Sequence, residues 1–408
     1  MLGWEFPPYF AGGVGIVCYE LTKALAKHGV TVTYIMPRGP EHVHANHCEL
    51  LVADNLILDK RVTVARIDSL LEAYTGYDEY GRRLSTLLKH GRGSAGKLYG
   101  ENLLQEIHLF AEKVKLLVTE LGMDFDVIHA HDWTTFPAAM ALKELTGKPL
   151  IVHVHITEFD KTGGEHADPR IYAIERAGML AADRVIAVSN MIRKRCIYQY
   201  HVPPDKIRIV YNAVEFNRRP GLPEEFPIRK QDRVVLFLGR ITLQKGPDYF
   251  MEAAKKVLEM NPNVKFVMAG TGDMLPRMIE RAAELGIGDK FIFPGFVNRE
   301  QGDKLYRMAD VFVMPSVSEP FGIVPLEAMY QGTPVIISRQ SGISEVLKHA
   351  LKVDFWDVND IANKIMAALS YRTLHRELTD RGNQEVMGFN WEKPATEVEH
   401  IYEEVVNG

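Results

Sequence analysis

Short apolar runs alternate with amphipathic segments along almost the whole chain. The runs are rich in β-branched residues, and the segments between them have the 3.6-residue period of a helix. The first set occupies residues 31–36, 127–130, 150–154, 185–188 and 207–210. The second set occupies residues 234–238, 265–269, 291–293, 311–314 and 334–337. This alternation predicts an α/β protein with two doubly wound parallel sheets in series.

A segment with the composition of a linker separates the two predicted sheets. Residues 212–231 contain Pro220, Pro223 and Pro227 among charged side chains, which is typical of a hinge. We therefore predict an N-terminal domain over residues 1–215 and a second domain over residues 216–388. The length of 408 residues agrees with this division, because a chain of this size usually forms two cores of about 200 residues each.

Composition and charge narrow the function classes. A formal net charge of −5 gives no reason to expect nucleic acid as a partner. The three cysteines are isolated in sequence (Cys18, Cys48 and Cys196), which favours a reducing cytoplasm. No apolar run approaches the roughly 20 residues that span a bilayer. Peripheral membrane contact stays open, because a basic stretch lies between Arg82 and Lys97, although such runs are usually solvated surface.

The segment from Pro315 to Met329, PSVSEPFGIVPLEAM, carries the most informative pattern. An apolar strand precedes it, and Pro325 is tolerated only in the first turn of a helix. Glu319 therefore lies on the loop and Glu327 lies inside the helix. Two carboxylates at these positions are able to hold hydroxyl groups, while a helix N-terminus between them favours an anion. Geometry alone leaves a plain alternative, in which Glu319 is a capping acid and Glu327 is part of a solvated face.

The pattern E-x7-E within EPFG-x-x-x-LEAM resembles the donor-site signature of retaining glycosyltransferases with the GT-B fold. The resemblance is strongest to family 4, and the glycogen and starch synthases form a related family. It implies two Rossmann-like domains facing a cleft. It also implies that Glu319 acts at the reacting centre, that Glu327 binds the ribose, and that the backbone at Phe321, Gly322 and Ile323 contacts the donor sugar.

Other loops match the donor half of the same family in order along the chain. Arg240 and Lys245 lie in LGRITLQKGP, where two cations suit a pyrophosphate leaving group; the alternative is a pair of exposed basic residues. The resemblance implies that glycine loops contact the diphosphate and the sugar of the donor, and that the PGFV segment binds the nucleobase. These residues are Gly12, Gly13, Gly15, Gly270, Gly272, Phe296 and Val297. Ser341 and Gly342 replace the usual Gly-Gly pair.

Two strand ends predict the acceptor side of the cleft. In HAHDW, Asp132 and Trp133 follow a strand, and the resemblance assigns them to the acceptor side. Because HAHDW lacks a further spaced ligand set, we expect no metal site. In LIVHVHITEFDKTGG, His153 and His155 share one face. Each of them is either a core residue with its hydrogen bonds satisfied or the histidine of the cleft. The resemblance assigns His155 to the reacting centre. The polar loop that follows, including Glu158, suits sugar hydroxyls.

The resemblance implies transfer of a hexosyl group from a nucleotide-diphosphate sugar to a glycan, with no cofactor and no required metal. HAHDW and VHVHITEFDKTGG favour UDP- or ADP-glucose and a glycogen synthase-like acceptor. A mannosyl or lipid-linked glycan transferase, and a non-catalytic nucleotide-sugar-binding protein, remain alternatives. The family usually has a complete strand before the WEFPP segment, so the first strand here is either short or begins upstream. Residues 389–408 are expected to form a helix that crosses back to the first domain. The pattern gives no oligomeric state.

Overall fold

The computed structural model describes residues 1–7, 13–37, 45–53, 102–164, 166–215 and 232–408. Several predicted features lie outside these ranges: Gly12, the linker prolines and the basic stretch from Arg82 to Lys97. Tyr74, Tyr77 and Tyr80, whose aromatic rings make them candidate acceptor contacts, also lie outside these ranges.

The first sheet is parallel, and Leu2 lies between its two sets of strands. Leu2 forms parallel bridges to both Ile35 and Ala130, so it joins a pair of strands to a set of four. The spatial order is β2-β1-Leu2-β3-β4-β5-β6. The strands are β1 Thr33–Met36, β2 Glu49–Val52, β3 Ile128–His131, β4 Leu150–Val154, β5 Arg184–Ala187 and β6 Ile207–Ile209.

Helices cross over between these strands. They are α1 Gly13–Lys27, α2 Asn102–Glu120, α3 Phe136–Thr146, α4 Glu158–Lys161, α5 Pro169–Ala181 and α6 Asn190–Tyr198. Every described residue of β3 and β4 is buried, because helices cover both faces of the sheet.

The second sheet is parallel with the order β9-β8-β7-β10-β11-β12. This is the doubly wound order in which ligands bind where neighbouring strands lead in opposite directions, here between β7 and β10. The strands are β7 Arg233–Leu238, β8 Val264–Ala269, β9 Phe291–Gly295, β10 Val311–Met314, β11 Val335–Ser338 and β12 Leu351–Val353. The helices are α7 Pro247–Met260, α8 Leu275–Glu284, α9 Arg299–Met308, α10 Val324–Tyr330, α11 Val358–Ser370 and α12 Arg372–Val386.

The last helix, α13 Glu392–Val406, packs on the N-terminal half of the chain. Its buried Val398 and Ile401 share one apolar cluster with Leu21 of α1 and Ile186 of β5. Because this contact is apolar and continuous with a sheet face, burial of these side chains holds the two ends of the chain together.

The predicted α/β class is confirmed, and the ten predicted strands agree with the observed ones within two residues at each end. The pattern missed β2 and β12, which are short and only partly buried. Among the described residues, no helix combines the length and apolarity required to cross a bilayer.

Candidate active site

The loop after β10 lies at the switch point of the second sheet and carries Glu319. This glutamate is 7% exposed, and its Oε2 atom accepts a hydrogen bond from the Ser316 hydroxyl at 3.3 Å. The loop is braced by residues 340–342: the Glu319 N–H donates to the Gln340 carbonyl at 3.0 Å, and the Gly342 N–H donates to the Glu319 carbonyl at 2.9 Å. The backbone therefore fixes where the carboxylate lies.

Lys245 pairs directly with Glu319. The Lys245 ammonium donates to the Glu319 Oε2 atom, and both side chains are largely buried. Lys245 ends a short turn, Leu243–Lys245, that follows β7. The structure thus brings together the predicted cation of the diphosphate and the predicted acid of the reacting centre, although 74 residues separate them in the chain.

Gln244 organises the same loops and was not predicted from the sequence. It is 3% exposed, and its amide Nε2 donates to the Ser318 carbonyl at 3.0 Å. The Val317 N–H donates to the Gln244 carbonyl at 2.9 Å, and the Arg240 guanidinium donates to Gln244 Oε1 at 3.3 Å. The only signal in the sequence was its position beside Lys245.

Glu327 lies in α10, as predicted, and is half-buried. The Tyr306 hydroxyl donates to its Oε2 atom at 3.0 Å. Burial raises the pKa of Glu327, and the Tyr306 hydrogen bond opposes that rise. The plain alternative of a solvated carboxylate does not fit this environment.

Close backbone approach explains the glycine loop after β8. A Cβ atom on Gly270 would lie 1.8 Å from the Gly239 carbonyl oxygen, and one on Gly272 would lie 2.1 Å from the Ile241 carbonyl oxygen. These glycines therefore let the loops after β7 and β8 touch. Phe296, which follows β9, is 75% exposed and available for stacking, and the adjacent Val297 is half-buried.

One prediction about the backbone needs correction. Gly13 and Gly15 were predicted on a loop, but they lie in the first turn of α1, since that helix begins earlier than its apolar residues indicated. Ser341 lies where the family often has a glycine. Ser341 is accommodated, because its hydroxyl donates to the Ser338 carbonyl at 2.6 Å. Phe321, Gly322 and Ile323 immediately precede α10, and their contact with the donor remains a prediction.

His155 directly follows β4 at the carboxyl edge of the first sheet. It is 5% exposed, and burial lowers its pKa to about 3, so it is neutral at pH 7. One ring nitrogen, Nε2, lies 3.0 Å from Nδ1 of His131. His153 lies within β4 on the same face, which agrees with the choice of His155 as the residue at the strand end.

Asp132 braces the segment that carries His155. Its backbone has a φ of 59°, and its Oδ1 atom accepts hydrogen bonds from the N–H groups of His155 at 2.8 Å and Ile156 at 3.3 Å. Burial raises the pKa of Asp132 to about 7, and these two hydrogen bonds oppose that rise. The contact with an acceptor predicted for Asp132 remains a prediction; the observed contacts are with the protein backbone.

Trp133 and Glu158 are connected through Lys161. The Lys161 ammonium lies 5.6 Å from the centre of the Trp133 ring and 3.6 Å from the Glu158 Oε2 atom. The Glu158 N–H donates to Glu175 Oε1 at 2.9 Å. The two predicted acceptor-side residues thus belong to one buried polar group with a lysine that the sequence analysis did not single out as a contact.

Asp160 connects the two halves of the chain. It is fully buried, and its Oδ1 atom accepts from the Ser318 hydroxyl at 2.6 Å and from the Arg195 guanidinium at 2.7 Å. Ser318 immediately precedes Glu319, so this contact sets the donor-side loop against the segment that follows His155. Both halves contribute to one site.

Glu345 makes a second connection between the halves. Its carboxylate accepts from the N–H groups of Asn190 and Met191, each at 2.8 Å, which are the first residues of α6. A carboxylate at a helix N-terminus is stabilised by the helix dipole. Tyr211 adds a hydrogen bond to Glu345 at 3.0 Å.

Comparison with known proteins identifies the family of this chain. The chain matches the family described as Glycosyltransferase Family 4 over residues 11–218 and the family described as Glycosyl transferases group 1 over residues 219–385. An uncharacterised glycosyltransferase of Methanocaldococcus jannaschii is 30% identical over 98% of this chain and 97% of its own. A glycogen synthase of Mycobacterium tuberculosis is 25% identical over 98% of this chain and 93% of its own.

A D-inositol 3-phosphate glycosyltransferase of Thermobifida fusca is 27% identical over 94% of this chain and 86% of its own. Among solved structures, sucrose-phosphate synthase from Thermosynechococcus elongatus superposes with a TM-score of 0.75 at 21% identity, covering 100% of this chain and 98% of that one. Anabaena HepE in complex with UDP and glucose superposes with a TM-score of 0.69 at 15% identity, covering 99% and 98%. The chain therefore belongs to the family 4, group 1 glycosyltransferases and has their GT-B fold.

Proposed function

We propose that this glycosyltransferase retains the anomeric configuration of the sugar and transfers glucose from UDP-glucose or ADP-glucose to an α-glucan. The observation that carries the proposal is the pairing of Lys245 with Glu319 at the switch point of the second sheet. A transfer of this kind needs a cation for the leaving diphosphate and a carboxylate for the sugar hydroxyls.

Binding of the donor exchanges the partner of Lys245. In the structure the ammonium is neutralised by Glu319. A diphosphate carries more negative charge than one carboxylate, so it competes for Lys245, together with the neighbouring Arg240. The exchange leaves the Glu319 carboxylate available to accept hydrogen bonds from the sugar. Glu327 holds the ribose hydroxyls from α10.

The transfer step needs no nucleophile from the protein. The acceptor hydroxyl oxygen forms a bond to the anomeric carbon on the face from which the diphosphate departs. The bond from that carbon to the phosphate oxygen breaks with its electron pair, and the hydroxyl proton passes to the departing oxygen. Neutral His155 and the Glu319 carboxylate orient and stabilise the sugar as positive charge develops on it. Cationic side chains supply the charge neutralisation, so the proposed step requires no metal ion.

The relatives support the choice of substrates. The M. tuberculosis relative is named a glycogen synthase, and the Anabaena structure contains UDP and glucose. A second candidate acceptor is a phosphorylated polyol, because the T. fusca relative is named a D-inositol 3-phosphate glycosyltransferase. The three cysteines are free thiols, and we place the enzyme in a reducing cytoplasm.

The test is nucleotide release from UDP-, ADP- and GDP-sugars in EDTA, each with glycogen, maltooligosaccharides, inositol phosphate or no acceptor. The proposal expects release from a glucose donor that a glucan stimulates, and an α-linked product by NMR. Stimulation by inositol phosphate alone would select the second candidate. Release from GDP-mannose alone would reject the glucose assignment, and binding without turnover would reject catalysis.

A further inference from the structure

Four histidines form a compact block on one face of the first sheet. Strands β3 and β4 are parallel neighbours, and their register places His131 beside His153. The rings of His129 and His131 are stacked with centres 4.4 Å apart, and those of His153 and His155 with centres 4.2 Å apart. All four residues are at most 5% exposed.

Most nitrogen atoms in this block have no hydrogen-bond partner among the residues that the structure describes. The four rings carry eight nitrogens, and three of them are engaged: His129 Nδ1 with the Tyr402 hydroxyl at 2.6 Å, and His131 Nδ1 with His155 Nε2 at 3.0 Å. The other five are buried and unpartnered, including both nitrogens of His153. Each such atom costs about 1–3 kcal/mol when left unsatisfied. An ion or ligand that binds these nitrogens therefore stabilises the folded protein.

The spacing suits a single metal ion. Ligand nitrogens of His129, His131 and His153 all lie within 4.8 Å of one another. Three atoms this close lie no more than about 2.8 Å from a common point, whereas a zinc–imidazole bond is about 2.0–2.1 Å. Rotation of the rings about χ2, which is a broad torsion in histidine, is able to shorten the distance from each nitrogen to the common point by this amount. From HAHDW alone we expected too few metal ligands. His153, on the adjacent strand, is a further candidate ligand.

Imidazole nitrogens are typical ligands of first-row divalent metals, and all three rings are buried against one another. We infer that His129, His131 and His153 bind one divalent ion of the zinc, cobalt or nickel type.

The ion has a consequence for the cleft that depends on the proposed function. His131 Nδ1 is engaged with His155, so the ion takes His131 Nε2 and leaves the proton on Nδ1. That proton is then donated to His155 Nε2, which places the proton of His155 on its own Nδ1. The ion is thus structural, and it sets the tautomer of the histidine at the reacting centre without contacting the diphosphate.

The test is the metal content of the full chain, purified without a histidine tag from cells grown with added Zn2+ or Co2+. Elemental analysis and the visible spectrum of the Co2+ form give readouts that need no donor or acceptor. The variants are His153→Phe and His129→Asn, with His108→Asn as the control, because His108 is exposed on α2. His153→Phe is informative because the His153 ring makes no hydrogen bond to any described part of the chain.

The inference expects about one ion per chain in the wild type and in the control, and tetrahedral or five-coordinate Co2+ bands. It expects loss of the ion in both variants and a lower melting temperature for His153→Phe. A metal-free wild type would overturn it. Retention of the ion by His153→Phe, or a variant at least as stable as the wild type, would overturn it as well. Because nucleotide release is not measured, failure here leaves the proposed function standing, and the reverse also holds.

Discussion

The Ser318 hydroxyl of the donor-side loop donates to the buried Asp160 carboxylate of the N-terminal half at 2.6 Å. Asp160 also accepts from the Thr157 N–H at 2.9 Å and from the Thr157 hydroxyl at 2.7 Å. Because Thr157 lies two residues after His155 and Ser318 lies one residue before Glu319, a single carboxylate positions both predicted catalytic residues.

Replacement of Ser318 by alanine tests this relationship. A hydrogen bond to a charged group contributes about 1.5–3 kcal/mol, so we expect kcat/KM to fall roughly ten- to hundredfold. The melting temperature should change little, because Arg195 still pairs with Asp160. Steady-state kinetics and thermal unfolding measure the two quantities. Ser370→Ala is the matched control, since Ser370 is exposed at the end of α11. Full activity in Ser318→Ala would show that the contact does not position the site.

Replacement of Lys245 by methionine separates catalysis from stability. Loss of a cation at the leaving group should lower kcat by about 10²–10³. It also leaves Glu319 buried without its partner, so the melting temperature should fall. The double variant Lys245→Met/Glu319→Gln should recover the melting temperature but not the activity.

Lys256→Met is the control for that series, because Lys256 is exposed on α7. If the double variant regained activity along with stability, Lys245 would serve only to neutralise Glu319. Single-turnover measurements with saturating donor would then show a normal rate of transfer.

Replacement of Glu327 by alanine tests the ribose assignment. Loss of hydrogen bonds to a carboxylate should weaken UDP and ADP binding roughly ten- to hundredfold, measured by calorimetry. The 2′-deoxy nucleotide should bind the wild type more weakly than UDP and should bind Glu327→Ala with the same affinity as UDP. Glu300→Ala, on the exposed side of α9, is the control. Equal affinity of wild type and variant for UDP would remove the assignment.

The order of the elements and the position of Glu319 were predictable because each depends on neighbours in sequence. Apolar runs of three to six residues bounded by turns predict strands locally. The loop-to-helix entry after β10 was set by Pro325 and by the glycines around it. Local signals of this kind are sufficient wherever a residue's environment comes from its own segment.

The partners of these residues were not predictable because they come from distant parts of the chain. The Ser318–Asp160 contact spans 158 residues, and the Gln244–Ser318 contact spans 74. The sequence predicted Asp132 on the acceptor side, but it did not predict that the Asp132 carboxylate also holds the backbone of the adjacent strand end. A single sequence gives no pairing between segments, so a buried polar side chain that braces a loop has the same pattern as one that binds a ligand.

Glu175 gives the fold a dependence on pH that a single substitution removes. It is 1% exposed, and burial raises its pKa to about 8, although the Tyr200 hydroxyl donates to it and opposes that rise. The native state therefore keeps a proton on Glu175 up to about pH 8, while the unfolded chain releases it near pH 4.5. Unfolding releases a proton between these values, so the free energy of unfolding should fall as pH rises, by at most roughly 1.4 kcal/mol per pH unit.

Glu175→Gln should flatten this dependence between pH 5 and pH 8. The glutamine oxygen still accepts from the Glu158 N–H, and its amide is able to donate to the Tyr200 oxygen, so the native contacts are retained. Urea unfolding at several pH values measures the slope. Glu120→Gln is the matched control, because Glu120 is exposed at the end of α2 and its replacement should leave the slope unchanged. Equal slopes for wild type and Glu175→Gln would mean that Glu175 is ionised in the native state.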